Sequence, residues 1–168
     1  ANTEPPRMEV MPIMAPINNV ISAPAPVAIE LTDIKGHWAH KDIITMVEKG
    51  IIEVSDGQFQ PEKIITQGDF LDGLKQVFKD YSVPELDREE GKTYITRMEA
   101  AKAIEKTFVD NEIPVMMTLM FPVYDDTLDL TPEESSALSF VFNTGIMKGK
   151  AEMNFCPADP LTKAELAV

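Results

Sequence analysis

Apolar and polar positions alternate at helical spacing in four places along the chain. Phe70, Leu71, Leu74, Val77 and Phe78 recur on one helix face, as do Ala100, Ala101, Ile104 and Phe108. Ala39, Ile43 and Val47, with Ile44 beside them, mark a third amphipathic stretch, which Gly50 is placed to end. Leu138, Val141 and Phe142 mark a fourth. It opens with Thr131 as N-cap, Pro132 at the first helical position and an acid two residues on. The pattern predicts helices over 38–49, 67–79, 97–109 and 132–143, with at most short strands between them.

Other segments break the pattern. Prolines at 5, 6, 12, 16, 24 and 26 block both helix and strand ladder, so residues 1–31 read as a proline-rich arm or linker, or as a poorly ordered tail. Residues 80–93 hold Pro84 and the charge run Asp87-Arg88-Glu89-Glu90, and predict a loop with a solvated face. Between Pro114 and Pro122 lies the apolar run 115–121. Periodicity does not choose helix or strand for it; its hydrophobicity predicts burial, or cover by a partner.

One short stretch occurs three times. Ile65-Thr66-Gln67-Gly68-Asp69, Ile95-Thr96-Arg97-Met98-Glu99 and Leu161-Thr162-Lys163-Ala164-Glu165 each read aliphatic, Thr, polar or basic, small or apolar, acid. Thr-x-x-Asp/Glu is a capping box, in which Thr66, Thr96 and Thr162 cap helices and Asp69, Glu99 and Glu165 reach back to the N-cap amide. Upstream of the first copy stand Asp33-Ile34-Lys35-Gly36-His37-Trp38-Ala39, Gly50-Ile51 and Gly57-Gln58-Phe59-Gln60-Pro61. Upstream of the third stand Gly145-Ile146 and Asn154-Phe155-Cys156-Pro157. Self-similarity of this kind marks a repeat architecture. The pattern resembles the S-layer homology domain of bacterial surface proteins over roughly residues 32–168. It is strong in the first repeat (32–79), moderate in the third (121–168) and reduced in the second (80–110) to little more than Tyr94 to Phe108. The third repeat stops three residues past its acid and reads as C-terminally incomplete.

The resemblance implies a mostly α, pseudo-threefold module: a central three-helix bundle from the helices after Thr66, Thr96 and Thr162, with short prong helices outside. It also implies a non-catalytic anchor at the cell wall or S-layer, outside the cell, binding an anionic, often pyruvylated, polysaccharide in grooves between prongs. Arg97 matches the family's basic position fully. Lys163 matches by charge without the guanidinium fork, and Gln67 is uncharged. Gly36, Trp38 and Asp33 complete the expected glycan-binding set. Physical reasoning gives the boxes the same meaning. A cation in a helix's first turn opposes the macrodipole, unless an anion is shared between it and the terminal amides. For Trp38, anchoring in the core is favoured over stacking on a sugar.

Composition narrows the partners. A formal net charge of −13 with no basic stripe argues against nucleic acid. No apolar run is long enough to span a membrane. Cys156 is the only cysteine and reads as a small buried hydrophobe. The acids from Asp125 to Glu134 lack EF-hand spacing, and His37 with His40 makes a poor metal pair, so no metal or cofactor is expected. No Ser/His/Asp set or phosphate loop suggests an enzyme. The second reading is a protein–protein interaction module that keeps the scaffold without the glycan, making contact through residues 1–31 or 115–121.

Overall fold

The computed structural model describes residues 30–86 and 93–168. Residues 1–29 of the proline-rich arm and the charge run at 87–90 lie outside the described residues. Among the described residues five helices form: α1 (His40–Glu48), α2 (Gln67–Val77), α3 (Arg97–Asp110), α4 (Pro132–Asn143) and α5 (Lys163–Ala167). Strand pairing among the described residues is confined to isolated bridges. The protein is thus mostly helical, as the periodicity predicts.

The caps explain which helix starts are sharp. Thr66, Thr96, Thr131 and Thr162 each accept from the N3 amide while the N3 acid accepts from the N-cap amide, so all four form complete capping boxes. The start of α1 has no such box. There the Nδ1 of His37 accepts from the amide of Ala39 (3.2 Å), and the helix begins at His40, two residues later than expected. Trp38 therefore sits in the preceding turn and Ala39 takes the core position: Ala39 is fully buried while Trp38 is 65% exposed. This corrects the expectation that Trp38 anchors the core. At its other end α2 stops at Val77, two residues early, where Phe78 leaves helical geometry.

Two apolar clusters hold these elements. The larger joins α2, α3 and α4, with the ring of Phe108 lying 5.4 Å from Phe78 and 5.2 Å from Phe140. Small residues Ala100, Ala103 and Ala137 line this cluster and let helix axes approach closely. The smaller cluster gathers Ile34, Ile43 and Phe59 with Ala164 and Ala167 of α5. Leu166 packs on both clusters. It reaches α2 where Gly73 leaves room: a Cβ there would meet the Leu166 methyls at 3.7 Å. Phe59 and Phe155 are fully buried, each contributing about 1.5–3 kcal/mol by burial.

The first and third repeats lock their loops identically. Asp33 accepts from the amides of Phe59 (3.0 Å) and Gln60 (2.6 Å). Asp126 accepts from those of Phe155 (2.9 Å) and Cys156 (2.7 Å). Gln60 and Cys156 both take the left-handed backbone, at φ 59. Cys156 is accordingly half-buried rather than a core residue. Its thiol is pushed above the ordinary range by burial and by the Asp159 and Asp126 carboxylates.

The run 115–121 departs furthest from expectation. It has no regular secondary structure, and Met116 (97%), Leu119 (90%) and Phe121 (90%) stand in solvent. Two prolines bracket it and, among the described residues, its hydrogen bonds go to Asn143 alone, so it follows the end of α4 without entering either cluster. The Asn143 side chain donates to the carbonyl of Met120 (2.8 Å) and accepts from its amide (2.8 Å).

Candidate functional site

The three repeated boxes meet one another in a closed cycle. The amide of Gln67, first residue of α2, donates to the carbonyl of Thr93, three residues before the next box's cap (2.9 Å). The amide of Arg97 donates to Asp159, in the same place before the third (2.9 Å). The amide of Lys163 donates to Lys63, in the same place before the first (2.8 Å). Each bond occupies a helix-terminal N–H that would otherwise lack an intrahelical partner. The bridges Ile64–Thr162, Thr66–Tyr94 and Thr96–Pro160 accompany them. Gln67, Arg97 and Lys163 therefore hold equivalent positions, and the side chains of Arg97 and Lys163 turn toward the neighbouring repeat.

Arg97 is turned inward. It is 5% exposed, and its Nε donates to the carbonyl of Phe155 (3.0 Å). One terminal nitrogen pairs with Glu165 (3.0 Å) and the other donates to the carbonyl of Lys148. The guanidinium lies 5.0 Å from the centre of the Phe155 ring. Lys163 repeats this arrangement one repeat on. Its ammonium lies 4.7 Å from the centre of the Phe59 ring and donates to the carbonyl of Glu53 (3.1 Å). The charge balance differs. Arg97 has Glu165 as counter-ion, whereas no carboxylate among the described residues forms an ion pair with Lys163. Burial holds the Lys163 ammonium below the ordinary lysine range, Lys63 lowers it further, and Asp69 and Asp33 only partly oppose this.

Each of these positions opens on a groove. Lys163 lines one of about 470 Å³ with Lys63, Asp69 and the Gly50–Glu53 loop. Arg97 lines one of about 610 Å³ with Trp38, Glu62, Lys150 and Glu165. Gln67, itself buried, lines one of about 830 Å³ with Thr66, Leu71, Lys75 and Pro84. All lie within roughly 300–1,000 Å³, the range of small-molecule sites. In the second groove, Lys150 bonds Asp159 (3.1 Å) and lies 3.6 Å from Glu165. Burial alone would lower its ammonium, but these carboxylates raise it above the ordinary range. Trp38 presents an exposed face there and lies 5.4 Å from the tilted ring of His37, which bonds Glu62 (3.0 Å).

Of the residues expected to bind glycan, Lys163, Arg97, Trp38 and Gln67 thus line grooves, with Arg97 and Trp38 sharing one. Gly36 (φ 78) makes the turn before α1, and Asp33 locks the Phe59 loop; both stand outside these grooves. Sequence reasoning missed Lys63 and Lys150, and missed that Phe59 and Phe155 serve as platforms for the two cations. The repeated Phe-x-Pro was the available signal. Among the described residues, no group of His, Cys, Asp or Glu is arranged to hold a metal ion.

The sequence profile of the S-layer homology domain matches residues 30–71 and 124–167. These segments hold the two Asp-locked loops with α1, α4 and α5, and leave out residues 72–123 with α3. No curated protein matches the sequence closely enough to be named as a relative. The chain belongs to the S-layer homology domain family.

Proposed function

We propose that this chain is a non-catalytic module that holds an exported bacterial protein at the cell wall by binding an anionic, pyruvylated polysaccharide. Domains of this family are generally cell-surface anchoring modules. We further propose that the three boxes form a pseudo-threefold module, a reading supported by their cyclic hydrogen bonding. Binding would take place in the grooves at Lys163 and Arg97. The observation that carries the reading is the electrostatics of Lys163. A half-buried ammonium that forms no ion pair with a carboxylate among the described residues, with Lys63 lowering it and Asp69 and Asp33 only partly offsetting burial, is a standing cost that a bound carboxylate relieves. Arg97 is already neutralised by Glu165, so in its groove an anion depends on Lys150 and Lys148 while Trp38 offers a sugar-stacking face.

The test is a titration of purified acidic wall polymer into the wild type and Lys163→Ala. Removing one charge-assisted contact costs about 1.5–3 kcal/mol, or ~10- to 150-fold in affinity. A polymer stripped of its acidic groups should bind neither protein. Because the chain carries a net charge of −13, it has no general attraction for a polyanion, so binding reports a local site. Equal binding by wild type and Lys163→Ala would remove Lys163 from the site. Absence of binding to any acidic wall polymer would remove the glycan.

A further inference from the structure

We infer that the exposed segment 115–123 is a second docking surface, one that takes a polypeptide with an apolar centre and basic flanks. Three observations carry this. The side chains of Met116, Leu119, Phe121 and Val123 are each at least 71% exposed, an apolar run that ordinary soluble surfaces do not display. Its backbone has no regular secondary structure and is largely unoccupied. Only Thr118 and Met120 make backbone hydrogen bonds between 115 and 121 among the described residues, and both go to Asn143. The amides of Val115, Met116, Met117, Leu119 and Phe121 have no partner there and are open to main-chain pairing with an incoming peptide. Along the sequence the charge beside the run has one sign. No Lys or Arg occurs from Thr107 to Met147, while Glu112, Asp125 and Asp129 flank the apolar positions, with Asp110 paired to Lys106 (2.9 Å) and Asp126 held by the amides of Phe155 and Cys156.

That charge selects the occupant. An anionic polysaccharide or an anionic lipid surface would be repelled, and neither would use a free backbone edge. A second copy of this segment would place like charges opposite one another. The proline-rich arm holds only Arg7 as a basic residue, so it offers little charge complementarity. A polypeptide alternating apolar and small polar residues between lysines satisfies the apolar side chains, the open amides and the acidic flanks together.

The probe is a labelled synthetic peptide of alternating valine and threonine flanked by lysines, with a glutamate-flanked version as control. Fluorescence anisotropy with the full chain should show binding of the lysine peptide and about tenfold or weaker binding of the glutamate peptide. Leu119→Ser with Phe121→Ser should weaken the lysine peptide by about tenfold or more. Because both side chains already face solvent, the denaturation midpoint should stay in place. Hydrogen exchange should find the amides of Val115, Met116, Met117, Leu119 and Phe121, which lack the Asn143 bonds of Thr118 and Met120, unprotected in the free protein and protected with the peptide. Failure of the lysine peptide to bind, or equal binding of both peptides, overturns the inference. So does protection in the free protein: if independent of concentration, the chain's own arm fills the strip, and if dependent on it, a second copy does. Binding of neutral phosphatidylcholine vesicles that the double variant abolishes, without peptide binding, would make it a membrane contact instead.

Discussion

Replacing Arg97 by alanine should unfold this protein more readily than it disturbs any ligand. The guanidinium makes a hydrogen bond to Phe155 (3.0 Å), one to Lys148 and an ion pair with Glu165 (3.0 Å), and covers the Phe155 ring. Removing one partner of a buried ion pair costs about 3–5 kcal/mol. Here the lower end applies. The Glu165 side chain is 12% exposed, keeps Lys150 at 3.6 Å and still accepts from the amide of Thr162. The expected loss is thus about 3 kcal/mol, a large part of the ~5–15 kcal/mol that stabilises a typical domain. Arg97→Lys keeps the charge but cannot reach all three acceptors, and should lose about 2 kcal/mol. The assay is urea denaturation followed by far-ultraviolet circular dichroism, because the exposed Trp38 makes intrinsic fluorescence a poor reporter. Combining Arg97→Met with Glu165→Gln closes a double-mutant cycle and should recover at least ~1 kcal/mol of the summed single losses. A shift below ~1 kcal/mol for Arg97→Ala at unchanged slope would show that the inward bonds do not hold the repeats together.

Thr66→Ala and Thr96→Ala should each cost about 1 kcal/mol through the lost cap, read as midpoint shifts in the same assay. Gly149→Ala should cost roughly 1–3 kcal/mol. Its Cβ would meet the Asn154 carbonyl at 2.7 Å, and the Gly149 amide would be pushed from the Tyr124 hydroxyl it now bonds at 3.0 Å. Acid should weaken the fold in part through Asp33 and Glu134. Burial would raise Asp33, but the Phe59 and Gln60 amides outweigh it, while the Thr131 amide and hydroxyl lower Glu134. Both carboxyls fall below their ordinary values, so their contribution is full above those values and lost as pH falls through the lowered ones. Asp33→Asn should flatten that acid limb. Wall-polymer binding, if Lys163 carries it, should decline as pH rises through the lowered ammonium pKa, at a pH below 10.5 where an ordinary lysine is still charged.

Much of the fold was legible because local chemistry repeated itself. The Thr boxes name their own helix starts, and Pro132 with Gly145 brackets α4, so 132–143 is found where the pattern placed it. Trp38 misled because size argues for burial, whereas the missing Thr box before α1 moved the helix start and handed the core position to Ala39. For the apolar run at 115–121, one of the two expectations, burial, failed for a related reason. Hydrophobicity reports what a segment would gain by burial, not whether its prolines allow it to reach the core. The candidate site was half visible. The cations at 97 and 163 stood out as misplaced in first turns. Whether each faces a ligand or a neighbouring repeat depends on Glu165, Phe155 and Phe59, contacts that span up to 110 residues in the case of Lys163 and the Glu53 carbonyl.

The cyclic joining of the three boxes has a kinetic consequence. In an open solenoid each repeat touches only its neighbours, so folding can begin anywhere and ends can fray. Here the amide of Lys163 closes on Lys63, and Ala164 and Ala167 fill the cluster around Phe59. The cluster around Phe59 therefore lacks part of its core until the third box arrives. Contacts of such high sequence separation slow folding, because loop entropy is lost before the pairing repays it. The array should then melt in one step, with no stable fragment containing the first repeat alone. During synthesis the early repeats should remain incompletely packed until the third has emerged.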